Sequence, residues 1–279
     1  MKKENNLDLI KKSGQEMYFD KIVAKKMIER ENNKEHTLVS KIFESILITE
    51  FKNGKNIKLA DLGAGAHPKR YIRFLQFLKE NSGKLFWIDQ SSLMLNHALK
   101  NTPQKFKEVI KYTEEEMVDF LNKRKESFDG LIFKYSFNYL ISQSLKDWIK
   151  IIYEGLKKNG KAIANLHFYE RGIRDRSYNA IYTINGKNIK SGYKPQNNDI
   201  IEVHFLQKPG DKSLKPKIFA STKIIYYDPI VIKKIASKIG FFTVKIFKNW
   251  EENSVWKDTF ERLNPGLESK AKTFLLFEK

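Results

Sequence analysis

Cysteine is absent from the 279-residue sequence, which excludes disulfide staples, thiolate metal sites and cysteine-nucleophile chemistry. Long apolar runs are missing too. None approaches the roughly 18 residues needed to cross a bilayer, and Met1-Lys2-Lys3-Glu4-Asn5-Asn6 leads into no hydrophobic signal segment. The expected setting is the cytoplasm, with no membrane contact. Histidine is sparse, at positions 36, 67, 97, 167 and 204, and no pair has metal-ligand spacing, so no metal site is expected. Arginine is scarce as well: of 52 basic residues only positions 30, 70, 73, 124, 171, 174, 176 and 262 carry it.

What is present supports a folded core, with 41% apolar residues and 13% aromatics. The net charge of +19 draws attention to phosphate-bearing partners. Its lysine-rich make-up fits a compositional bias better than selection for bidentate phosphate contacts, which favour arginine. The basic excess is densest in residues 169–227, with 11 basic and 5 acidic residues, so RNA stays open as a partner.

Residues 7–53 read as two helices and a turn, from the three-and-four spacing of Ile22, Val23, Met27 and then Leu38, Val39, Ile42, Phe43, Ile46 and Leu47. From residue 57 strand and helix alternate. Strands are expected at 57–62, 85–88, 106–112, 128–133 and 161–168, with helices after Pro68, after Ser91, over 113–123 and over 148–156. Five such alternations imply a doubly wound α/β fold, a mostly parallel sheet covered on both faces. The rhythm breaks over 170–222, where Asn185-Gly186 and Pro209-Gly210-Asp211 mark turns of an antiparallel insertion. A helix over 229–239 and strands at 241–247 and 272–277 close the chain. The expected organisation is a helical extension at 1–55, a core at 56–168 and 228–279, and an inserted substrate-binding or lid segment at 169–227.

In parallel sheets ligands sit at the carboxyl ends of the strands. There the sequence places Asp61-Leu62-Gly63-Ala64-Gly65-Ala66-His67-Pro68 after the first strand and Asp89 at the end of the second. Gly63 and Gly65 permit a tight turn and close backbone approach to a ligand, and Asp89 sits where a carboxylate accepts from two ribose hydroxyls.

This segment resembles the nucleotide-binding half of the class I S-adenosylmethionine-dependent methyltransferases, over roughly residues 57–168 and again over 228–279. Asp61-Leu62-Gly63-Ala64-Gly65 matches the acid-x-Gly-x-Gly motif, and Asp89-Gln90-Ser91-Ser92-Leu93-Met94-Leu95 resembles the family's acid-to-Met-Leu run beside adenine. The closing helix, Gly240-Phe241 and two strands resemble the family's last hairpin, which implies a seven-stranded sheet with 272–277 inserted between the fifth and sixth strands. Dinucleotide dehydrogenases compete for the same pattern, but Pro68 lies where their third glycine would allow helix and strand to pack.

The resemblance implies S-adenosylmethionine as cofactor, held by Asp61, Gly63, Ala64, Gly65, Asp89, Gln90 and Met94, by Thr113 or Glu114 after the third strand, and by Phe133 and Lys134 after the fourth. Tyr18 is similar to an aromatic that closes over the methionine end in many small-molecule methyltransferases. Tyr135 and His167 are the candidate catalytic residues, His167 as a general base near the end of the fifth strand. Arg171, Arg174 and Arg176 either grip an anionic acceptor or face water. The segment 133–139 lacks the Asn/Asp-Pro-Pro-aromatic motif of amino-group methylation, and without cysteine a thiolate route to pyrimidine carbon 5 is closed. The expected activity is methyl transfer to O or N of a small-molecule acceptor. An RNA methyltransferase and a non-catalytic cofactor-binding partner protein are the alternatives.

Overall fold

Apolar runs buried on both faces, with helices between them, build a larger sheet, and alternation of inward apolar and outward polar positions builds a smaller one. The computed structural model describes residues 21–31, 34–139, 143–166, 180–189, 193–207, 217–265 and 273–279. The strands are β1 (Lys58–Leu62), β2 (Lys84–Asp89), β3 (Ile110–Glu114), β4 (Phe128–Phe133), β5 (Leu156–Asn165), β6 (Ala180–Ile184), β7 (Lys187–Asn188), β8 (Ile200–Gln207), β9 (Lys217–Ile225), β10 (Thr243–Phe247) and β11 (Phe274–Glu278). The helices are α1 (Lys21–Glu31), α2 (Lys34–Phe51), α3 (Ile72–Glu80), α4 (Ser92–Asn101), α5 (Met117–Asn122), α6 (Leu145–Gly155), α7 (Pro229–Ile239) and α8 (Ser254–Leu263).

The larger sheet runs β10-β11-β5-β4-β1-β2-β3. Its first five strands in sequence are parallel, and β11 is antiparallel to both β5 and β10. The last strand therefore inserts beside the fifth, as the closing hairpin suggested. Strand order reverses between β1 and β4, which opens the crevice at their carboxyl ends.

Period-two alternation sends side chains to two distinct cores. Leu59, Leu85, Trp87, Ile132, Ile163 and Phe274 face α2, α3 and α8, meeting Phe43, Phe74 and Trp256. Ala60, Leu62, Ile88, Leu131, Phe133 and Ala162 face α5, α6 and α7, meeting Phe120, Trp148 and Ile232. Each fully buried large side chain contributes about 1.5–3 kcal/mol. Trp250 and Trp256 are fully buried, so neither marks an exposed interface.

The segment expected as an antiparallel insertion forms a four-stranded antiparallel sheet, β7-β6-β8-β9. Asn185 and Gly186, at φ +51° and +72°, make the two-residue turn between β6 and β7. Pro209-Gly210-Asp211 lies outside the described residues. The inner face of this sheet carries Ile201, Val203, Phe205, Ala220 and Ile224, packed on Ala66 and Met94 of the larger sheet's ligand edge together with Val23 and Ile28 of α1. Charged and polar partners, Glu202 with Lys223 and His204 with Ser221, lie on its other side.

Several boundaries differ from the sequence reading. The third strand begins at Ile110 rather than 106, because Phe106 is buried in a short 3-10 turn, and it runs through Thr113 and Glu114. The helix expected from 113 starts at Met117, because the Glu116 carboxylate accepts hydrogen bonds from the Val118 and Asp119 N–H groups and caps it there. The fifth strand starts at Leu156, five residues before its expected start, because Leu156 already pairs with Phe128 across a register shift.

Candidate functional site

The loop after β1 is a tight turn held from both sides. Gly63 and Gly65 stand at φ +70° and +71°, conformations open to glycine. The Ala64 N–H donates to the Ile88 carbonyl at 2.9 Å, and the Trp87 indole N–H donates to the Gly65 carbonyl at 2.8 Å. A methyl group on Gly63 would sit 2.7 Å from Ser136 Cβ, so the β1 and β4 loops are packed tightly together here.

Asp89 closes the same loop. Its Oδ2 accepts from the Gly65 N–H and its Oδ1 from the Ser91 N–H, each at 2.9 Å. Burial raises its carboxyl to about 6, against the pull of the Ser91, Gly65 and Gln90 N–H groups. Asp89 stays partly exposed, with lone pairs left over for a further donor. Ser91 caps α4 by accepting from the Met94 N–H, which places Met94, almost fully buried, beside Ala66. Gln90 is partly exposed at the same bend.

Asp61, at the end of β1, is fully buried, and neither carboxylate oxygen accepts a hydrogen bond within the fold. Burial raises it to about 7, while the nearby Lys134 ammonium lowers it and the Asp89 charge adds to the rise. The buried Tyr71 hydroxyl faces it without closing a hydrogen bond. A buried carboxylate of this kind is costly unless a cation or donor reaches it.

Lys134 and Tyr135 leave β4 beside this carboxylate. Lys134 Nζ is 3.5 Å from Ser40 Oγ of α2 and 4.9 Å from the Tyr71 ring centre. Tyr135 stands at φ +62°, and its N–H donates to Asn165 Oδ1 at 2.7 Å. Phe133 points the other way, packed edge-on against Trp148 and Phe137 in the opposite core, and offers the crevice only its backbone. Thr113 is partly exposed at the outer strand, and Glu114 is exposed opposite Asp89 in register. Tyr18 and His167, with Arg171, Arg174 and Arg176, lie outside the described residues.

Asn165, at the end of β5, was not singled out from the sequence, whereas Ser136 and Asn138 lie in the segment 133–139 expected to line the floor between cofactor and acceptor. Ser136 Oγ and Asn165 Nδ2 are buried without a hydrogen-bond partner, and Asn138 donates to the Ile225 carbonyl at 2.7 Å while its Oδ1 has none. The signal that finds them is the gathering of such atoms at the carboxyl ends of neighbouring strands, which needs the strand order. His67 Nε2 lies 3.0 Å from the Ile28 carbonyl of α1, and burial, helped by Arg70, lowers it to about 4. Among the described residues no group of three or more histidine and carboxylate side chains is placed to hold a metal ion, and no helix is long and apolar enough to cross a membrane.

The chain aligns with a candidate S-adenosylmethionine-dependent methyltransferase of solved structure from Listeria monocytogenes, over 87% of this chain and 98% of that one, at 14% identity and a TM-score of 0.52. The fold is that of the class I methyltransferases. An S-adenosylmethionine-dependent methyltransferase from Clostridium acetobutylicum aligns over 89% of this chain and 93% of its own, at 17% identity and a TM-score of 0.49. No protein-family model and no curated protein matches the sequence. In this methyltransferase fold, Asp61, the Gly63–Gly65 turn, Asp89 and Lys134 line one continuous edge, from the end of β4 across β1 to β2.

Proposed function

We propose that the chain is an S-adenosylmethionine-dependent methyltransferase that methylates O or N of a small-molecule acceptor. The observation that carries this reading is the pair of carboxylates at the ends of β1 and β2. Asp89 is held by loop N–H groups with lone pairs to spare for a ribose diol, and Asp61 is buried with both oxygens unpaired. The donor set fits the cofactor: a diol at Asp89, an ammonium at Asp61, and a backbone turn without Cβ atoms at Gly63 and Gly65 between them.

When bound, S-adenosylmethionine supplies a methyl group activated by its sulfonium. The chain's own share is alignment and exclusion of water. Asp89 fixes the ribose, Met94 and the loop flank the base, and Asp61 anchors the amino-acid end. The segment 134–138 and Asn165 border the acceptor side, where Tyr135 is the candidate contact. The apolar inner face of the inserted sheet, closing on Ala66 and Met94, favours a small enclosed acceptor over a nucleic-acid strand. Of the 1–55 extension, α1 would join 169–227 as the lid, whereas α2, whose Phe43 packs with Leu59 and Trp87, belongs with 56–168 and 228–279 in the cofactor core.

Calorimetric titration with S-adenosylhomocysteine, run beside NAD, tests the reading. Binding of the first alone is expected. Binding of NAD alone, or of neither, would overturn it.

A further inference from the structure

Where β4 and β5 end against the inserted sheet, four side-chain polar atoms are buried without a hydrogen-bond partner: Ser136 Oγ, Asn138 Oδ1, Asn165 Nδ2 and Thr222 Oγ1. None of the four residues has more than 3% of its surface exposed. Atoms of this kind are rare in a folded protein, and each calls for a partner from outside the fold. Asn165 joins β5 to β4 through the Tyr135 N–H, and Asn138, in the turn that follows, joins β4 to β9 through the Ile225 carbonyl. Thr222 pairs with Val203 in the β8–β9 ladder, so it shares the inner face of the inserted sheet with Ala220 and Ile224. It places a hydroxyl in that apolar row.

The two amides have fixed polarity. A backbone N–H only donates, so the end of Asn165 that it holds is oxygen and the free end is a donor. A backbone carbonyl only accepts, so the end of Asn138 that it holds is nitrogen and the free end is an acceptor. Neither amide can turn over without losing its anchor. The Ser136 and Thr222 hydroxyls serve in either sense. None of these four side chains ionises, and the charges at this edge, Asp61 and Lys134, act on each other on the α2 side, where Lys134 reaches Ser40 and the Tyr71 ring.

A group entering here meets one obligatory donor and one obligatory acceptor. A carboxylate only accepts, so it would set oxygen against Asn138 Oδ1, and an amidinium or ammonium only donates, so it would set N–H against Asn165 Nδ2. Such mismatches reject a ligand as effectively as matched bonds hold one. A carboxamide, or a hydroxyl beside a carbonyl, satisfies both amides at once.

We infer that Asn138, Asn165 and Thr222 form the receptor for the head of the methyl acceptor, and that this head is uncharged and pairs a hydrogen-bond acceptor with a donor. This rests on the methyltransferase reading and deepens it by naming the acceptor's chemical class.

Benzamide, benzoate and benzamidinium share one shape and differ in this polarity. Ligand-observed NMR on the protein saturated with S-adenosylhomocysteine is expected to show benzamide binding at least tenfold more tightly than either ion. Asn165→Asp keeps the oxygen that holds Tyr135 and exchanges the free donor for an acceptor. In that variant, at pH 8, the ratio of benzamidinium to benzamide affinity is expected to rise at least tenfold. Thr222→Val keeps the side-chain shape and removes the hydroxyl, and is expected to weaken benzamide at least threefold with S-adenosylhomocysteine affinity unchanged. Equal binding of the three probes by the unmodified protein, or binding of none, would overturn the inference even if no variant folds, and would mean that trapped water satisfies these atoms. So would a ratio that does not move in Asn165→Asp, or benzamide affinity untouched by Thr222→Val. Each of those results leaves the methyltransferase reading standing, whereas failure of S-adenosylhomocysteine itself to bind removes both.

Discussion

Asn165 Oδ1 accepts a 2.7 Å hydrogen bond from the backbone N–H of Tyr135, and Tyr135 is held at φ +62°. The left-handed conformation costs a non-glycine residue about 1–2 kcal/mol, so the bond from β5 offsets strain at the end of β4. Because the N–H can only donate, it fixes which end of the Asn165 amide is oxygen and leaves the buried Nδ2 without an acceptor.

Replacing Asn165 with Leu keeps the volume but strips the acceptor from a partly buried N–H. The expected cost is about 1–3 kcal/mol in urea unfolding. A change below about 0.5 kcal/mol, the range of an ordinary surface substitution, would mean that the bond does not hold the turn.

The Asp61 carboxyl rises from 3.8 to about 7 on folding, chiefly through burial. Between those values the folded protein keeps a proton that the unfolded chain releases, so this group's contribution makes stability fall as pH rises from about 4 to about 7 and level off above. Asp61→Asn removes the effect. The variant is expected to match the parent near pH 4 and to exceed it by a few kcal/mol at pH 8, at about 1.4 kcal/mol per unit of separation. His67, lowered from 6.5 to about 4, acts with the opposite sign, its stability lost as pH falls through that window, but it is common to both proteins and cancels in the difference. Thermal melts of both proteins across this range decide the matter, and a pH-independent difference would sink the assignment.

Gly63 and Gly186 have nearly the same backbone angle, φ +70° and +72°, but different surroundings. A methyl group at Gly186 meets nothing within 4 Å, while one at Gly63 would sit 2.7 Å from Ser136 Cβ. Gly186→Ala therefore carries only the conformational cost, about 1–2 kcal/mol. Gly63→Ala adds a steric cost of about 1–3 kcal/mol and pushes apart the β1 and β4 loops that form the site. Loss of S-adenosylhomocysteine binding in the second variant and its retention in the first is the expected pair of results. Equal effects of the two would show that the close approach of Ser136 is relieved elsewhere.

The sequence carried whatever is local. The loop from Asp61 to Pro68, the Asp89 carboxylate, the Asn185-Gly186 turn and the Gly240 stop each depend on a few adjacent residues, and the alternation over 57–168 dictates a parallel sheet. What it hid depends on which strands become neighbours. Asn165 reaching Tyr135, Ser136 crowding Gly63 and Lys134 sharing a face with Asp61 join residues about 30 to 73 positions apart, and no spacing rule connects them. Parity was hidden too: Phe133 and Lys134 are adjacent, but the strand's pleat sends the first into the far core and the second toward Asp61. The third strand's end was ambiguous because Glu114, Glu115 and Glu116 are alike in sequence, and only Glu116 caps the helix.

His67 ties the ligand loop to α1. The Ile28 carbonyl can only accept, so the histidine carries its proton on Nε2, and Val23 and Ile28 pack with Ala66 and Met94 beside that bond. His67→Phe retains the ring's bulk and removes the donor. Weaker docking of α1 follows, expected as faster amide exchange over residues 21–31 and as S-adenosylhomocysteine dissociating several-fold faster, since a single neutral hydrogen bond is worth about 0.5–1.5 kcal/mol. Stopped-flow dissociation and exchange mass spectrometry must change together for α1 to be a cover over the ligand. Faster exchange with an unchanged dissociation rate would assign α1 a purely structural part, and the opposite result would place the effect of His67 in the loop itself.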